Sequence, residues 1–557
     1  MSEETLIKLN PYLANSKNLM EIFAIIGYEE KIIEEHIQDI LENPQNFKIS
    51  LLSIIKSDVS SFKFNPDYAI NQVYPDNPKI IKIIKNKKQI PKSSSVLFYS
   101  CINSIDGKNK IIYCCYALRF YEKFSINSSE MNYYVPKAFL ILSQYPYFTT
   151  YYNICKNLFE IIINKKNSIP IEIIIYNLIN NTPSPLVNDL NLNIFPNESK
   201  IFIKNLTGYP FVDYDLCKIF NIMPINEFIK IFVLSLLETK LLFFSSDLLE
   251  LNIFMYILNV LNYPLIDSEY HWNISSIPLF KFESFTDDPI SPTFRGVNAL
   301  YDNDYDFSNF RNLFFIVDIE NKKLKYIDDD NDKDNYFQEL NQLLKYIHHL
   351  LNDKKDKSYF LSDNLLILRN RLKKIKKDYD SYKDIKKSDS FFYINSNIIQ
   401  INKQIQKAFY DFILNILTIS YNDYQLDPNS INIKQIKNNI NERENISEEE
   451  KNFLKYFKDS IKYNSYFDLF IKNFIVVDEL KVPLLFTDEF VYLKMRDKQI
   501  SEKLDFFKLI DEYYSLNSKI IEINLSDLDK KVKNFYSSKE ITKLNNEKNN
   551  HYIKLDE

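Results

Sequence analysis

The stretch Phe220–Pro264, FNIMPINEFIKIFVLSLLETKLLFFSSDLLELNIFMYILNVLNYP, constrains the fold more than any other part of the chain. Pro224 suits the first helical position, where a missing N–H costs nothing. From Ile225 to Leu237 apolar residues fall on nearly every face, as in a helix buried all round. Glu238-Thr239-Lys240 ends it, and Leu241–Phe244 is a short apolar run suited to an interior strand. Ser245-Ser246-Asp247 follows, then a second apolar helix from Leu248 to Asn262, stopped by Pro264. Helix, buried strand and helix in such close succession imply a sheet covered by helices on both sides, an α/β architecture.

Composition closes off several functions. The chain has 557 residues, enough for more than one domain, and 45% are hydrophobic, a globular value. Its net charge of −5 offers no basic face for nucleic acid. Only four glycines occur, Gly27, Gly107, Gly208 and Gly296, each alone. Neither GxGxxG nor GxxxxGK[ST] can be written with them, so a dinucleotide fingerprint and a phosphate-binding P-loop are excluded. Five cysteines form no CxxC, which fits a reduced, cytoplasmic protein with inert thiols. Cys114 and Cys115 should point to opposite faces of one strand. No GxSxG elbow, HExxH pair or EF-hand spacing is present, so no cofactor, metal or covalent active site is expected. The start, MSEETLIKLN, does not read as a signal peptide, and no apolar window is long enough for a transmembrane helix.

Along the chain, Leu19–Tyr28 reads as a first strand ending at Gly27, and Lys31–Ser61 as partly helical. Lys79–Lys92 is basic; it reads as a solvated loop or as a peripheral membrane contact. Val96–Ile105 and Lys110–Tyr121 are strands about an Asp106-Gly107 turn, the second closing on Arg119-Phe120-Tyr121. Next come Pro136-Lys137-Ala138, Leu142-Ser143-Gln144-Tyr145-Pro146-Tyr147-Phe148, and helices over Tyr147–Ile163 and Ile171–Asn180. Ile201–Gly208 is a strand and turn followed by Tyr209-Pro210-Phe211. Beyond the central stretch lie His271-Trp272, Ile277-Pro278-Leu279, Pro289, Pro292, Phe294, Gly296 and Val297, then a strand over Phe314–Ile319 ending in Asp318. Asp328–Asp334 reads as a solvated acidic turn. Tyr336–Leu351, Ile405–Ile419 and Phe453–Phe474 read as helices, Asn429–Glu450 as a polar loop, and Arg371–Ser390 as an exposed or flexible insertion.

Taken together and in order, these motifs resemble the tripartite DENN module. The sharpest correspondence is Pro136, Lys137, Ala138, Leu142, Ser143, Tyr145, Pro146, Tyr147 and Phe148; Glu238, Leu241–Phe244 and Ser245-Ser246-Asp247 form the second. Here the order is His271-Trp272 where the family has Trp before His, and a few residues are inserted after Pro264. The resemblance implies an extension over residues 1–18, a longin-like upstream lobe over 19–122, a central helix-covered α/β lobe over 134–297, a mostly helical downstream part over 298–515, and a polar tail over 516–557.

It also implies a guanine-nucleotide exchange factor for Rab-family small GTPases in membrane trafficking, cytoplasmic or peripheral on endomembranes. Two alternatives stay open. One is a non-catalytic trafficking scaffold. The other is a folliculin-like GTPase-activating protein, for which the segment after Asp106-Gly107 supplies only Arg119. Two loops are candidates for the GTPase contact: Tyr209-Pro210-Phe211, and Ser245-Ser246-Asp247 at a helix N-terminus. For Asp247, three residues before Glu250, capping of the helix and direct partner contact both remain open.

Overall fold

The strand expected at Leu19–Tyr28 forms over Ile22–Gly27 (β1), with an amphipathic helix Glu30–Glu42 (α1) after it. The computed structural model describes residues 18–43, 46–57, 65–75, 78–84, 91–103, 110–124, 131–164, 171–184, 189–194, 201–203, 212–262, 265, 275–277, 294–297, 315–326, 335–352, 360–382, 390–421, 447–459 and 520–525. These fall into two compact units, one of Asn10–Asp213 with Tyr514–Glu557, the other of Met1–Leu9 with Tyr214–Tyr513.

The first unit is built on an antiparallel sheet. After β1 come β2 (Ser50–Lys56), α2 (Pro66–Val73), β3 (Ile81–Ile84), β4 (Ser94–Asn103), β5 (Lys110–Phe124) and β6 (Met131–Ser143), in the order β2-β1-β6-β5-β4, with β3 also on β6. Helices α3 (Phe148–Asn164) and α4 (Ile171–Asn180) follow. Strand β6 is the centre of this sheet: Ile22 to Gly27 pair with Leu142 to Lys137, and β5 runs along its other edge. Pro136 lies where β1 pairing has ended at Lys137 and β3 pairing begins at Tyr134, a position that tolerates a missing N–H. Gly27 sits tight against Lys137: a Cβ there would meet Lys137 Cγ and Leu52 Cδ1, each at 3.0 Å.

The motif Ser143–Phe148 proves to be joinery. Ser143 Oγ donates to Leu19 O at 2.6 Å and accepts from Tyr145 N at 2.9 Å. Gln144 donates to Glu21, whose carboxylate also accepts from Tyr113 OH at 2.6 Å. Tyr151 OH donates to Tyr145 O at 2.8 Å. Ser143 Oγ, the Tyr145 N–H and Tyr151 OH are thus all partnered, which ties the turn into α3 to the residues before β1.

One expectation is corrected below. The central lobe expected from residue 134 opens on Met131–Ser143, which is the middle strand of the first sheet, and the compact units divide at Asp213/Tyr214. Chain-local patterns cannot show which sheet a strand joins. Of the basic run Lys79–Lys92, Ile81–Ile84 is strand β3, and residues 85–90 lie outside the described residues.

The second unit holds the parallel sheet. Leu216–Lys218 is a 3-10 turn leading into α5 (Ile219–Ile222), then α6 (Ile225–Leu236), β9 (Leu241–Phe244) and α7 (Leu248–Leu261), where β7 (Asp189–Asn193) and β8 (Ile201–Ile203) belong to the first unit. Strands β10 (Ser275–Ile277), β11 (Phe294–Val297), β12 (Phe315–Asp318) and β13 (Lys323–Tyr326) complete the sheet in the order β10-β11-β9-β12-β13. β10, β11, β9 and β12 run parallel and β13 turns back antiparallel on β12. All four residues of β9 are buried, so both faces of the sheet are covered there. Gly296 in β11 allows α7 to lie close: a Cβ would meet Met255 Cε at 2.8 Å and Leu251 Cγ at 3.0 Å.

Helices α8 (Asn335–Asn352), α9 (Phe360–Ser381), α10 (Ser396–Tyr421) and α11 (Glu448–Asp459) belong to the same unit. Phe409 of α10 meets Phe232 at 4.6 Å and Phe228 at 5.9 Å between ring centroids, and Phe254 meets Phe228 and Phe243, each at 5.6 Å. The central and downstream parts expected as separate therefore share one aromatic core. The reading of Arg371–Ser390 as an insertion is corrected as far as residue 382. Leu361, Leu365, Leu368, Leu372, Ile375 and Tyr379 are buried at spacings of three and four along α9. Tyr379 OH donates to Asp215 Oδ2 at 2.6 Å, and Lys218 Nζ to Ser390 O at 2.6 Å. Phe467–Phe474 and the turn Asp328–Asp334 lie outside the described residues.

Glu238, at the end of α6, has φ 54°, a left-handed value that costs a side-chain-bearing residue about 1 kcal/mol. Its neighbour Thr239 donates its N–H to Leu234 O at 3.1 Å, closing the helix. Glu238→Gly is expected to raise stability by about 0.5–1 kcal/mol, read as a higher urea midpoint at unchanged slope.

Candidate functional site

Strand order singles out one edge of the parallel sheet as a candidate site. From β9 the chain passes through α7 to β10 and then β11 on one side, and then crosses to β12 on the other. The carboxyl ends of β9 and β12 therefore lie at the point where connections diverge, the usual place for recognition in open parallel sheets.

Two loops leave that edge. Ser245-Ser246-Asp247 follows β9, and Ile319-Glu320-Asn321-Lys322 joins β12 to β13. Ser245 is buried; its N–H donates to Val297 O at 3.2 Å and its Oγ accepts from Asp247 N at 3.1 Å. It fastens the loop from beneath. Asp247 is exposed and caps α7, with Oδ1 accepting from Leu249 N at 2.7 Å and Glu250 N at 3.1 Å. Ser246 is exposed, and both its N–H and its Oγ donate to Glu320 Oε1, at 3.1 and 2.5 Å. The two loops are thus bound to one another.

The second loop is held as firmly. Asp318 is buried; it accepts from Asn321 N at 3.0 Å and Asn321 Nδ2 at 2.8 Å and pairs with Lys325 at 3.3 Å. Lys322, at φ 55°, donates from Nζ to Asn221 O at 2.7 Å. The result is an exposed lip that carries the acidic side chains Asp247 and Glu320, with Lys322 beside them. Burial raises the Glu250 carboxyl above its usual range; Asp247 and Glu320 raise it further and Lys322 opposes them. Asp247 and Glu320 are thus near enough for Glu250 to feel their charge.

Of the residues singled out in the sequence, Ser246 and Asp247 are on this surface and Ser245 supports it from beneath. Tyr209, Pro210 and Phe211 lie outside the described residues. Glu320 was missed. Its signal is nonlocal, because only the pairing of β12 with β9 brings position 320 beside Ser246. Arg119, expected at a strand end, lies inside β5, and its Nε donates to Ser94 Oγ at 2.9 Å.

Among the described residues no group of three or more His, Cys, Asp or Glu could hold a metal ion. Cys114, Cys115, Cys155 and Cys217 are all buried free thiols. No single helix among the described residues is long and apolar enough to cross a membrane. The bent pair Leu216–Ile222 and Ile225–Leu236 has the length and composition but turns by 108°. Its apolar side chains are buried in the core.

No curated protein matches the sequence. The DENN (AEX-3) domain model matches residues 134–286, a span that starts in β6, crosses the division at Asp213/Tyr214 and contains β9, Ser245-Ser246-Asp247 and α7. The ordered motifs, the buried strand between two apolar helices and this match agree: the chain carries a DENN domain over residues 134–286.

Proposed function

We propose that the protein is a guanine-nucleotide exchange factor that promotes GDP release from a Rab-type GTPase in membrane trafficking. The observation that carries this reading is the DENN domain over residues 134–286, since domains of this family are generally associated with that activity. Exchange requires no covalent chemistry. The factor binds the GTPase more tightly when the nucleotide is gone, and nucleotide in turn releases the factor. Accelerating release by ~10³–10⁵ takes about 4–7 kcal/mol of differential binding. An interface of about 1,600 Å² with a few anchors supplies that.

The acidic lip is the part of this protein we assign to the partner. Its loops are cross-tied through Ser246 and Glu320, so little ordering is lost on binding. Exposed carboxylates at Asp247 and Glu320 fit a basic residue on the GTPase, and Tyr209-Pro210-Phe211 is proposed separately as a GTPase-binding loop.

The activity is tested with purified Rab proteins loaded with fluorescent GDP. Faster release from one or a few of them is the expected result. Binding without acceleration would assign the chain to the scaffolds, and faster GTP hydrolysis to the activating proteins. The lip is tested by Asp247→Asn, which keeps the cap and deletes the charge. That variant should melt within about 0.5 kcal/mol of the parent yet release GDP about tenfold more slowly, alone or with Glu320→Gln. Full activity in the double variant and in Tyr209→Ala moves the interface elsewhere.

A further inference from the structure

A strand from the far end of the chain completes the small sheet of the first unit. Ile520–Asn524 (β14) pairs in parallel with β7, giving the order β14-β7-β8, and Asn177 in α4 reaches Leu525 across 348 positions. The polar tail expected at 516–557 showed no motif, yet residues 520–525 alternate as an added strand does. Ile520, Glu522 and Asn524 are exposed, Ile521 and Ile523 are half-buried, and Leu525 is fully buried.

The end of this strand is clamped on both sides of one residue. Leu525 N donates to Asn193 O at 2.8 Å, and Asn177 Nδ2 donates to Leu525 O at 2.9 Å. Asn177 is itself buried, 3% exposed, and Asn181 Nδ2 donates to its Oδ1. A buried amide aimed at a main-chain carbonyl reads backbone, whichever chain supplies it, while the Leu525 position selects an aliphatic side chain. On the outer face, Asn191 Nδ2 donates to Glu522 Oε1 at 2.9 Å and Asn193 Nδ2 to Asn524 Oδ1 at 3.1 Å, which fixes the register. The opposite edge of β7 is taken by β8, so β14 alone covers the remaining one. Only one of its side chains is fully buried, so the strand is attached by far less apolar area than β6 or β9.

We propose that the β7 edge, with Asn177, is a receptor for an extended peptide of pattern aliphatic-x-aliphatic-x-Leu. Residues 521–525 of the same chain fill it as a ligand in cis. A peptide of that pattern, with polar residues between, fills it in trans once the segment is displaced. This site is separate from the acidic lip and does not depend on the exchange reading.

The test uses the full-length chain and a fluorescent peptide of residues Ser518–Asp527, followed by anisotropy. Leu525→Asp in the chain ejects the cis strand, and that variant should bind the peptide at least about tenfold more tightly than the unmodified chain, whose site is filled. Adding Asn177→Ala should weaken the peptide at least about threefold, and a peptide carrying Ile523→Pro should show no saturable binding. No peptide binding by a folded Leu525→Asp chain overturns the proposal. Hydrogen exchange on the unmodified chain gives a second arm that needs no substitution. The Leu525 amide should exchange at least about 100-fold faster than the amides of Leu140–Leu142 in β6. Equal protection would make β14 a permanent part of the core and end the idea of a removable ligand.

Discussion

Phe243→Asp is expected to abolish the cooperative unfolding of the unit that carries the parallel sheet. Phe243 is fully buried in the second position from the end of β9, paired with Gly296 of β11 on one side and Val317 of β12 on the other. Its ring meets Phe254 of α7 at 5.6 Å, and Phe254 continues through Phe228 to Phe409. Removing a buried ring costs about 3–5 kcal/mol, and an unpaired carboxylate left in its place adds several more. Whole domains hold only about 5–15 kcal/mol, so one substitution uses most of it. Leu237→Asp, at the buried end of α6, should act in the same sense. The measurement is thermal unfolding by circular dichroism with solubility as a second readout. Phe243→Leu, which keeps an apolar side chain, should cost only about 1–2 kcal/mol and remain folded. A soluble Phe243→Asp chain with an unchanged melting temperature would show that β9 is not the centre of this sheet.

The same strand marks how far the sequence could be read. Leu241–Phe244 and the helices on either side are visible because each is a contiguous apolar run with a stop signal, and the bounds found match those expected to within one residue. The N-cap at Asp247 was visible for the same reason: its spacing to Glu250 is local, and the cap bonds to Leu249 and Glu250 are present. What was not visible is pairing. Nothing around Val135–Leu142 says that this strand sits between β1 and β5, because its partners lie more than 100 positions back for β1. Glu320 entered the site through β12, and Ile520–Leu525 entered its sheet through β7; neither segment has a distinctive composition. The helix Phe360–Ser381 was obscured by its charge. Five lysines and arginines over Arg371–Lys377 hide the buried stripe Leu372, Ile375 and Tyr379, which depends on Asp215 for its hydroxyl partner. The motif Ser143–Phe148 was read correctly as diagnostic, and its work turned out to be structural, in tying α3 to the chain before β1.

Asp213 should make the first unit less stable as pH rises through the neutral range, the reverse of the usual behaviour of a carboxylate. Its Oδ2 accepts from the N–H groups of Thr149 at 3.0 Å and Thr150 at 3.3 Å, capping α3 from 64 positions away. Its Oδ1 is sealed from solvent without a hydrogen-bond partner among the described residues. Burial pushes this carboxyl up to about 7, although the N–H bonds favour the charged form. In the unfolded chain it returns to the ordinary 3.8. Between those values the folded unit holds a proton that the unfolded chain has lost, so stability is greatest below about pH 4, falls up to about pH 7, and is level above. The gap corresponds to an upper bound of about 4 kcal/mol. Asp213→Asn keeps an acceptor for one N–H and cannot ionise, so it should remove this slope. The asparagine variant should be the more stable by up to about 2 kcal/mol at pH 5 and by up to about 4 kcal/mol at pH 8. The unfolding midpoint from pH 5 to 8 checks this as a difference between parent and variant, which cancels the titration of Glu250 and Glu450 in the other unit. Hydrogen exchange at Thr149–Tyr151 localises the effect to the first turn of α3. If parent and variant show parallel pH profiles, Asp213 is ionised throughout, and its cap bonds to α3 outweigh its burial.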